Sequence, residues 1–367
     1  MDLQKVFDTV NTDIHLHKWK HYRFRGSSYE WFKSYLSDRH QFTILNGSES
    51  TLNRTVNGVP QGTVLGPLLF LLYINDIPNS LSNSHIKLFA DDSNLFVIHN
   101  NIDSLFNIAN KELIILSEWL NVNKLFINYD KTNYMLFEVT KRNTETRLVS
   151  LPSIVLNDHI IQRVRNVKYL GILIDDKLTW NDHIEYLIGR VSSITGILYR
   201  TKQFLPLICR KNIFYALVYS VITYCIEIYG IVNKSILQPL LVKYNRLIRL
   251  LLNKPRRTPL FELYSSFGTI PVNLLFQLFT AKLIHKCIWT SNLVPASISR
   301  LFVMRSSIHS HNTRGNNSFF MDSNFSSKSI MFYGPSMWSK LSNELQSISS
   351  ISVFLKKYKS HLLDSMR

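Results

Sequence analysis

The most informative segment of the chain is Ile86–Ile98, which reads IKLFADDSNLFVI. Two apolar runs rich in β-forming residues flank the adjacent carboxylates of Asp91 and Asp92. The pattern therefore predicts a β-hairpin with both acids at its tip. Two like charges beside apolar strands are costly unless a cation compensates them, and Mg²⁺ prefers oxygen ligands. The segment indicates a magnesium site, with an ordinary Asp-Asp turn as the alternative.

Two further segments strengthen the magnesium interpretation. Asn57–Phe70 (NGVPQGTVLGPLLF) places three glycines and two prolines in front of an apolar, helix-like run. A glycine-rich turn before a helix lets a nucleotide approach the backbone closely, and the Gln61 amide can hold a sugar or a base. Asp2–Asp8 (DLQKVFD) adds a carboxylate at the head of an apolar run, with an exposed terminal Asp as the alternative. Two-metal phosphoryl transfer needs carboxylates from separate strands, which Asp2 and Asp91 can supply.

The composition favours a folded protein with a polyanionic partner. The chain has 367 residues, of which 46% are hydrophobic and 18% charged, so it lacks the signature of a disordered protein. Lys and Arg number 42 against 25 Asp and Glu, a net charge of +17 that makes nucleic acid the first candidate partner. The 3 cysteines are too scattered for a disulfide framework or a CxxC zinc site, which favours a reducing compartment. The N-terminus lacks the apolar region of a signal peptide, so we expect an intracellular protein of the nucleus or cytoplasm.

One segment has the length of a membrane span. Ile213–Val232 carries a single charge, Glu227. A carboxylate at the centre of a span costs roughly 2.5–3.5 kcal/mol on insertion scales, and several Tyr, Ser and Thr residues lower the hydropathy further. A buried helix is therefore favoured, with a membrane-spanning protein as the alternative.

The remaining patterns suggest how the chain is organised. Residues 1 to about 145 mix short β-rich runs with helical stretches, whereas the chain from about 183 onward is almost entirely helical. A basic segment, Tyr244–Arg257, is a candidate contact for nucleic-acid phosphates, with a solvated basic face as the alternative. Its arginines are Arg246 and Arg249, which share a helix face, followed by Arg256 and Arg257. Residues 306–329 are predicted to form a loop, and Ile351–Leu363 a final amphipathic helix.

The order of these motifs resembles the reverse transcriptases of non-LTR retrotransposons, the jockey-like LINE elements. The resemblance begins with DLxKxFD at residues 2–8, GVPQGTVLGPLLFLLYIND at residues 58–76 and FADD at residues 89–92. It continues through residues 119–132 and 167–175, which are similar to the family's next palm motif and its primer-grip region. Residues 311–314 and 333–338 are similar to the C-terminal region of the same open reading frames.

The resemblance implies an α+β fold: a right-hand polymerase palm with an antiparallel sheet that carries the acids, followed by a mainly helical thumb and a C-terminal extension. The implied domains are a partial palm at residues 1–176, a thumb-like region at 177–300, and an extension at 301–367 formed by a loop and then a helix. The family's fingers precede the DLxKxFD motif, so the resemblance also implies a copy truncated at its N-terminus, with the fingers missing.

The resemblance implies a role for each motif residue. A triad would bind two Mg²⁺ ions, with Mn²⁺ as a substitute: Asp2, Asp91 and Asp92. Phe7 would lie beneath the incoming sugar, and Gln61 and Gly62 would contact the nucleotide. Lys131 would protonate the leaving pyrophosphate, with a surface lysine as the alternative. Three residues would support the primer 3′ end: Tyr169, Leu170 and Gly171. The alternative is that these residues only form part of a buried strand.

The function that the resemblance implies is RNA-directed DNA polymerase activity by two-metal nucleotidyl transfer. Its partners would be an RNA template, a DNA primer and deoxynucleoside triphosphates, with no membrane and no protein partner indicated. The alternative function is that of a catalytically inactive nucleic-acid-binding remnant, in which the palm persists but the missing fingers abolish turnover.

Overall fold

Ile86–Ile98 forms the hairpin that its sequence predicts. In the computed structural model, which describes residues 1–137, 151–302, 319 and 329–367, strand β6 (His85–Phe89) pairs antiparallel with β7 (Asp92–Phe96). Phe89 lies opposite Asp92, so Ala90 and Asp91 form the turn. Ala90 has a φ of +50°, a left-handed conformation that residues with a Cβ adopt at an energetic cost. The carboxylates of Asp91 and Asp92 therefore lie at the tip of a strained, tight turn.

The chain divides into two compact units, Met1–Arg165 and Asn166–Arg367. The first unit mixes helices with short strands. Its helices are α1 (Val6–Thr9), α2 (Thr12–His21), α3 (Gly26–Leu36), α4 (Leu65–Ile74) and α5 (Ile102–Val122). Besides β6 and β7, its strands are β1 (Asp2–Leu3), β2 (Arg39–Gln41), β3 (Ile44–Leu45), β4 (Ser48–Glu49), β5 (Asn53–Thr55), β8 (Ile127–Asn128), β9 (Asn133–Tyr134), β10 (Val155–Leu156), β11 (His159–Ile160) and β12 (Gln162–Arg163).

The strand pairs of the first unit are short and mostly antiparallel. They are β1 with β8, β2 with β5, β3 with β4, β6 with β7 and β10 with β11, whereas β9 and β12 run parallel. Strand β1 also adjoins β7, because the Met1 amino group donates to the Ser93 carbonyl at 2.9 Å and the Ser93 N–H donates to the Met1 carbonyl at 3.2 Å. The hairpin that carries Asp91 and Asp92 and the strand that carries Asp2 are thus neighbours.

The core of the first unit is built around helix α4, whose sequence LGPLLFLLYI is apolar on every side. Phe70, Tyr73 and Ile74 are fully buried against residues of α2 and α5, among them Trp19 and Leu116. Burying an aromatic or large aliphatic side chain contributes about 1.5–3 kcal/mol to the stability of the fold, so this cluster stabilises the core of the unit that carries the strands.

The second unit is mainly helical. A hairpin of β13 (Asn166–Tyr169) and β14 (Ile172–Asp175) precedes its helices. These are α6 (Asn181–Thr201), α7 (Leu207–Phe214), α8 (Ser220–Thr223), α9 (Ile226–Tyr229), α10 (Lys234–Leu252), α11 (Leu260–Phe267), α12 (Val272–Trp289), α13 (Ala296–Ser299), α14 (Ile330–Trp338), α15 (Asn343–Gln346) and α16 (Ile351–Asp364). Their core includes five fully buried aromatic side chains: Phe214, Tyr229, Tyr244, Phe267 and Phe354.

The two units divide the chain differently from the three predicted domains. The β13–β14 hairpin belongs to the second unit, whereas the predicted palm extends to residue 176. Residues 329–367 also belong to the second unit, and Trp338 and Phe354 pack in its core. Helices α14 and α15 precede the predicted last helix, which is present as α16. The predicted loop at 306–329 and the motif at 311–314 lie almost wholly outside the described residues.

The segment Ile213–Val232, for which the sequence favours a buried helix over a membrane span, is not one continuous helix. It runs through the end of α7, a π-helical turn at Tyr215–Tyr219, α8 and α9, with a left-handed residue at Cys225. Among the described residues, no single helix has both the length and the apolar composition to cross a bilayer. Helices α11 and α12, which meet at an angle of 54°, satisfy those two criteria only when taken together.

Candidate active site

The carboxylate of Asp2 is held by side chains from a segment that lies far away in the sequence. Asp2 pairs with Asn128 across β1 and β8, and the Asn128 Nδ2 donates to the Asp2 Oδ2 at 3.2 Å. The Lys131 ammonium lies 3.5 Å from the same oxygen. The Thr132 hydroxyl accepts from the Asp2 N–H at 3.5 Å and donates to the Asn128 carbonyl at 2.7 Å. Because β1 contains only two residues, these side-chain bonds supplement a very short backbone ladder.

Asp92 begins β7, which adjoins β1 through the backbone bonds between Met1 and Ser93, so Asp92 and Asp2 lie on neighbouring strands. Burial lowers the pKa of the α-amino group of Met1, and the carboxylates of Asp92 and Asp2 both oppose that shift. Asp91 and Asp92 are exposed, and no described residue donates a hydrogen bond to their carboxylates or forms an ion pair with them. Their oxygens are free to bind a cation.

The three carboxylates suit Mg²⁺ in their chemistry, since hard cations take oxygen ligands. Within the described part of the chain, however, no three His, Cys, Asp or Glu side chains are close enough to form a metal-binding group. Asp2 and the hairpin acids are thus placed on adjoining strands without being gathered into one ligand set.

The glycine-rich segment packs against the segment that follows Asp2. The Val59 N–H donates to the Phe7 carbonyl at 2.7 Å, and the Gln61 Nε2 donates to the Asp8 Oδ1 at 2.7 Å. Gly58 permits this approach, since its φ is +91° and a Cβ there would lie 2.8 Å from the Phe7 carbonyl oxygen. The Phe7 ring in turn lies 5.3 Å from that of Phe70.

Two of the predicted nucleotide-contact residues, Phe7 and Gln61, therefore lie where the segment after Asp2 packs against the glycine-rich segment in front of α4. Gln61 and Gly62 are exposed and Phe7 is half-buried. The amide of Gln61 is engaged by Asp8, so a nucleotide that used this amide would have to compete with a carboxylate.

The predicted primer-grip residues lie in the second unit, at the turn between β13 and β14. Leu170 and Gly171 form that turn, with φ angles of +46° and +85°. The Tyr224 hydroxyl donates to the Leu170 carbonyl at 2.7 Å, which ties the turn to the helical part of the unit. Tyr169 is half-buried at the end of β13.

The four predicted phosphate-contact arginines differ in how far their side chains are exposed to solvent. Arg246 on α10 is exposed, as are Arg256 and Arg257 in the turn that follows this helix. Arg249 is half-buried and donates to the Thr258 carbonyl at 3.3 Å. Three guanidinium groups are thus open to solvent, while the fourth is partly committed to the fold.

A known protein family is similar to the part of the chain that holds the acids. Residues 1–174 match the family described as reverse transcriptase (RNA-dependent DNA polymerase). The match includes both acid-bearing strands, the glycine-rich segment, Lys131 and the Tyr169–Gly171 turn. The four arginines lie beyond it.

Several curated RNA-directed DNA polymerases of mobile elements are similar to the chain, two of them over a longer part of it than the family match. The chain is 28% identical over 269 residues to the RNA-directed DNA polymerase from mobile element jockey of Drosophila melanogaster, which covers 70% of the chain and 28% of the relative. It is also 28% identical to the probable RNA-directed DNA polymerase from transposon BS, and 31% identical over 160 residues to that from transposon X-element, of the same species. The chain spans less than a third of the length of these relatives.

Sequence reasoning missed two residues of this candidate site. Asn128 and Thr132 hold Asp2, yet they lie 126 and 130 positions from it, so no local pattern reveals the contact. The available signal was their position beside Lys131, within a segment that already resembled a family motif. The bond between Asp8 and Gln61 was missed for the same reason.

Proposed function

We propose that this chain carries out RNA-directed DNA synthesis, as part of a non-LTR retrotransposon polymerase whose first unit is a right-hand palm and whose helical unit acts as a thumb. The observation that supports the proposal is the adjacency of β1 and β7, the strands on which Asp2 and Asp92 lie, within a stretch that matches the reverse transcriptase family. Carboxylates on separate, neighbouring strands are the arrangement that nucleotidyl transfer requires.

Asp2, Asp91 and Asp92 would hold two Mg²⁺ ions, or Mn²⁺ in their place. Bound there, the ions would neutralise the charge that develops on the phosphates and lower the pKa of the attacking hydroxyl. The protein's own part is to aim the ligands. Asn128 fixes one oxygen of Asp2, and the hairpin turn presents Asp91 and Asp92 with no competing protein donor among the described residues.

Lys131 would supply the proton for the leaving pyrophosphate. Its side chain is exposed, and its ammonium lies 3.5 Å from the Asp2 Oδ2, one of the proposed ligand oxygens. A lysine in this position can donate a proton and balance part of the negative charge of the leaving group.

The nucleotide and nucleic-acid contacts extend the proposal to the substrates. Phe7, packed on Phe70, would limit the space at the sugar, and Gln61 and Gly62 would contact the incoming deoxynucleoside triphosphate. The Tyr169–Gly171 turn would support the primer end. Arg246, Arg256 and Arg257 would contact backbone phosphates of the RNA template and DNA primer, with Arg249 contributing charge.

A second candidate is nucleic-acid binding without turnover. It is favoured by one observation, namely that no three described carboxylate, imidazole or thiolate side chains are gathered into a metal-binding group. The basic surface would bind nucleic acid whether or not the acids close on cations.

Primer extension on an RNA template separates the two functions. We expect Mg²⁺-dependent extension that falls by at least about 1000-fold in Asp91→Asn and in Asp92→Asn, because a lost ligand leaves the developing phosphate charge without compensation. Glu118→Gln, which removes an exposed carboxylate from α5, is the matched control and should extend primers normally. Retention of RNA binding without any extension by the unmodified chain would favour the binding function.

A further inference from the structure

The positive charge of the protein is concentrated in its second unit. Residues 166–367 hold 25 Lys and Arg against 9 Asp and Glu, a net charge of +16, whereas residues 1–165 hold 17 against 16, a net charge of +1. Within residues 186–261 there are 12 basic residues and a single acid, Glu227. In a stretch with so few carboxylates, the basic side chains attract nucleic-acid phosphates and almost no acidic side chain repels them.

The two most exposed aromatic rings of this acid-poor stretch lie close together in the sequence. Tyr199, in the last turn of α6, is 66% exposed, and Phe204, in the turn that follows, is 76% exposed. Arg200 and Lys202 lie between them in the chain, and the Lys202 ammonium is 5.6 Å from the centroid of the Tyr199 ring. The Phe204 N–H donates to the Thr201 carbonyl at 3.0 Å, so its backbone is held in a defined turn rather than in an open loop.

This combination fits the chemistry of an unpaired nucleic-acid strand. Aromatic side chains stack on the faces of unpaired nucleic-acid bases, while neighbouring Lys and Arg side chains neutralise the phosphates. A duplex offers no such base faces, because its bases already stack on one another. An apolar protein surface would cover the rings but leave Arg200 and Lys202 without counter-charges.

We propose that Tyr199 and Phe204 form a stacking platform for unpaired bases of single-stranded RNA, with Arg200 and Lys202 contacting its phosphates. The platform is separate from the arginines of α10 and its following turn, and it deepens the proposed function, on which it rests for the choice of RNA. It would hold unpaired template, whereas the α10 arginines carry no ring on which a base can stack.

Binding measured without divalent metal or triphosphates tests the platform independently of catalysis. The probes are a short single-stranded RNA that contains 2-aminopurine and a blunt duplex of the same sequence. We expect the double variant Tyr199→Ala/Phe204→Ala to weaken single-strand binding by about tenfold or more and to relieve the quenching of 2-aminopurine, because one or two stacking faces are lost. Its affinity for the duplex and the salt dependence of binding should change little.

A second variant tests the charges. Arg200→Gln/Lys202→Gln should weaken binding of both probes and lower the slope of log affinity against log salt by about 0.7 for each lost contact to a single strand. Trp31→Ala removes an exposed ring from the nearly neutral first unit and is the control that should bind as the unmodified chain does. Tyr199→Phe/Phe204→Tyr keeps both rings and should retain single-strand affinity.

The outcomes are distinguishable from those for catalysis. Unchanged single-strand affinity in the aromatic double variant would overturn the platform and indicate that another protein covers these rings. An equal loss for single strand and duplex would also overturn it, since stacking acts only on unpaired bases. If the unmodified chain extends no primer but the aromatic variant loses single-strand binding selectively, the proposed polymerase function fails and the platform stands.

Discussion

At the residue scale, the decisive feature is how a single carboxylate is oriented. Asp2 lies in a strand of two residues, and its Oδ2 accepts from Asn128 and faces Lys131. Residues that orient a metal ligand without touching the metal commonly affect metal affinity nearly as strongly as the ligands themselves. Asn128 is therefore a positioning residue for the proposed site.

Replacing Asn128 should weaken metal binding more than it weakens the fold. We expect Asn128→Ala to reduce Mn²⁺ affinity by about tenfold, measured from the paramagnetic resonance signal of free Mn²⁺, because Asp2 loses the donor that fixes its oxygen. Primer extension should recover at saturating metal, since Asp2 itself remains.

Gln4 offers a matched control for Asn128. Its Nε2 donates to the Ile127 carbonyl at 3.2 Å, so Gln4→Ala removes a side-chain bond between the same two strands without touching the Asp2 carboxylate. Equal effects of the two substitutions on Mn²⁺ affinity would show that Asn128 acts only on the fold.

A second residue-scale prediction concerns His15 and acid stability. His15 is fully buried beside Trp19 and Tyr73, and burial, with a smaller effect of Lys18, lowers its pKa from 6.5 to about 4. The folded state thus favours the neutral ring. The contribution of His15 to the free energy of unfolding is therefore complete above about pH 6.5 and is lost as the pH falls towards 4. Between those values we expect a loss of about 2–3 kcal/mol in the free energy of unfolding.

The variant His15→Leu should abolish that part of the pH dependence. Denaturant unfolding at a series of pH values from 7 to 4 measures it. His17→Leu, which changes an exposed histidine of the same helix, should keep the slope. An unchanged slope in His15→Leu would assign the acid sensitivity to other groups, of which His183 in the second unit is the first to test, since burial lowers its pKa to about 4 as well.

At the element scale, turns and caps decide where the strands end. Asp175 closes β14, and its carboxylate accepts from the backbone N–H groups of Lys177, Thr179 and Trp180 at 3.2, 2.9 and 2.7 Å. One carboxylate thus organises the break between strand β14 and the helix that follows. Helix α6 begins directly after these bonds, at Asn181.

The β13–β14 turn yields an element-scale prediction. Leu170 and Gly171 both have positive φ, the conformation of a two-residue turn that favours Asn-Gly. Leu170→Asn should therefore raise the free energy of unfolding by roughly 0.5–1 kcal/mol, because Asn tolerates the left-handed region better than Leu. Chemical denaturation of the full chain measures the change.

The neighbouring position should respond in the opposite direction. Gly171→Ala adds a Cβ at a φ of +85° and only 3.4 Å from the Tyr224 ring, so we expect destabilisation of about 1 kcal/mol. Stabilisation by Gly171→Ala, or a loss of stability in Leu170→Asn, would contradict the assigned turn geometry.

At the scale of the whole molecule, charge and chemistry reside in different units. The acids lie in a unit with a net charge of +1, and almost the entire surplus of positive charge lies in the helical unit. Affinity for nucleic acid should therefore depend on the helical unit, and the position of the reacting phosphate on the unit that bears the acids.

The charge distribution predicts strongly salt-dependent binding of RNA and of RNA–DNA duplex. Arg246→Gln/Arg256→Gln/Arg257→Gln should weaken all sequences alike and reduce the salt slope by about 0.7–0.9 for each lost phosphate contact. Fluorescence anisotropy across a salt series measures both effects. Arg54→Gln, in the first unit and paired with Asp38 at 3.7 Å, is the control. An affinity that does not change with salt would refute a phosphate-driven interaction.

The linear sequence was sufficient for the features that depend on neighbouring residues and on ordered motifs. The FADD hairpin, the mixture of strands and helices and the resemblance of residues 1–174 to reverse transcriptases followed from alternating apolar runs, turn residues and motif order. Tertiary structure alone decided the contacts between distant segments, because their energy is realised only when the chain closes long loops. Asn128 reaches Asp2 across 126 positions, and Gln61 reaches Asp8 across 53. Likewise, packing rather than local pattern broke Ile213–Val232 into short helices and merged residues 329–367 into the helical core, since burial rewards surfaces that meet in space regardless of their separation in sequence.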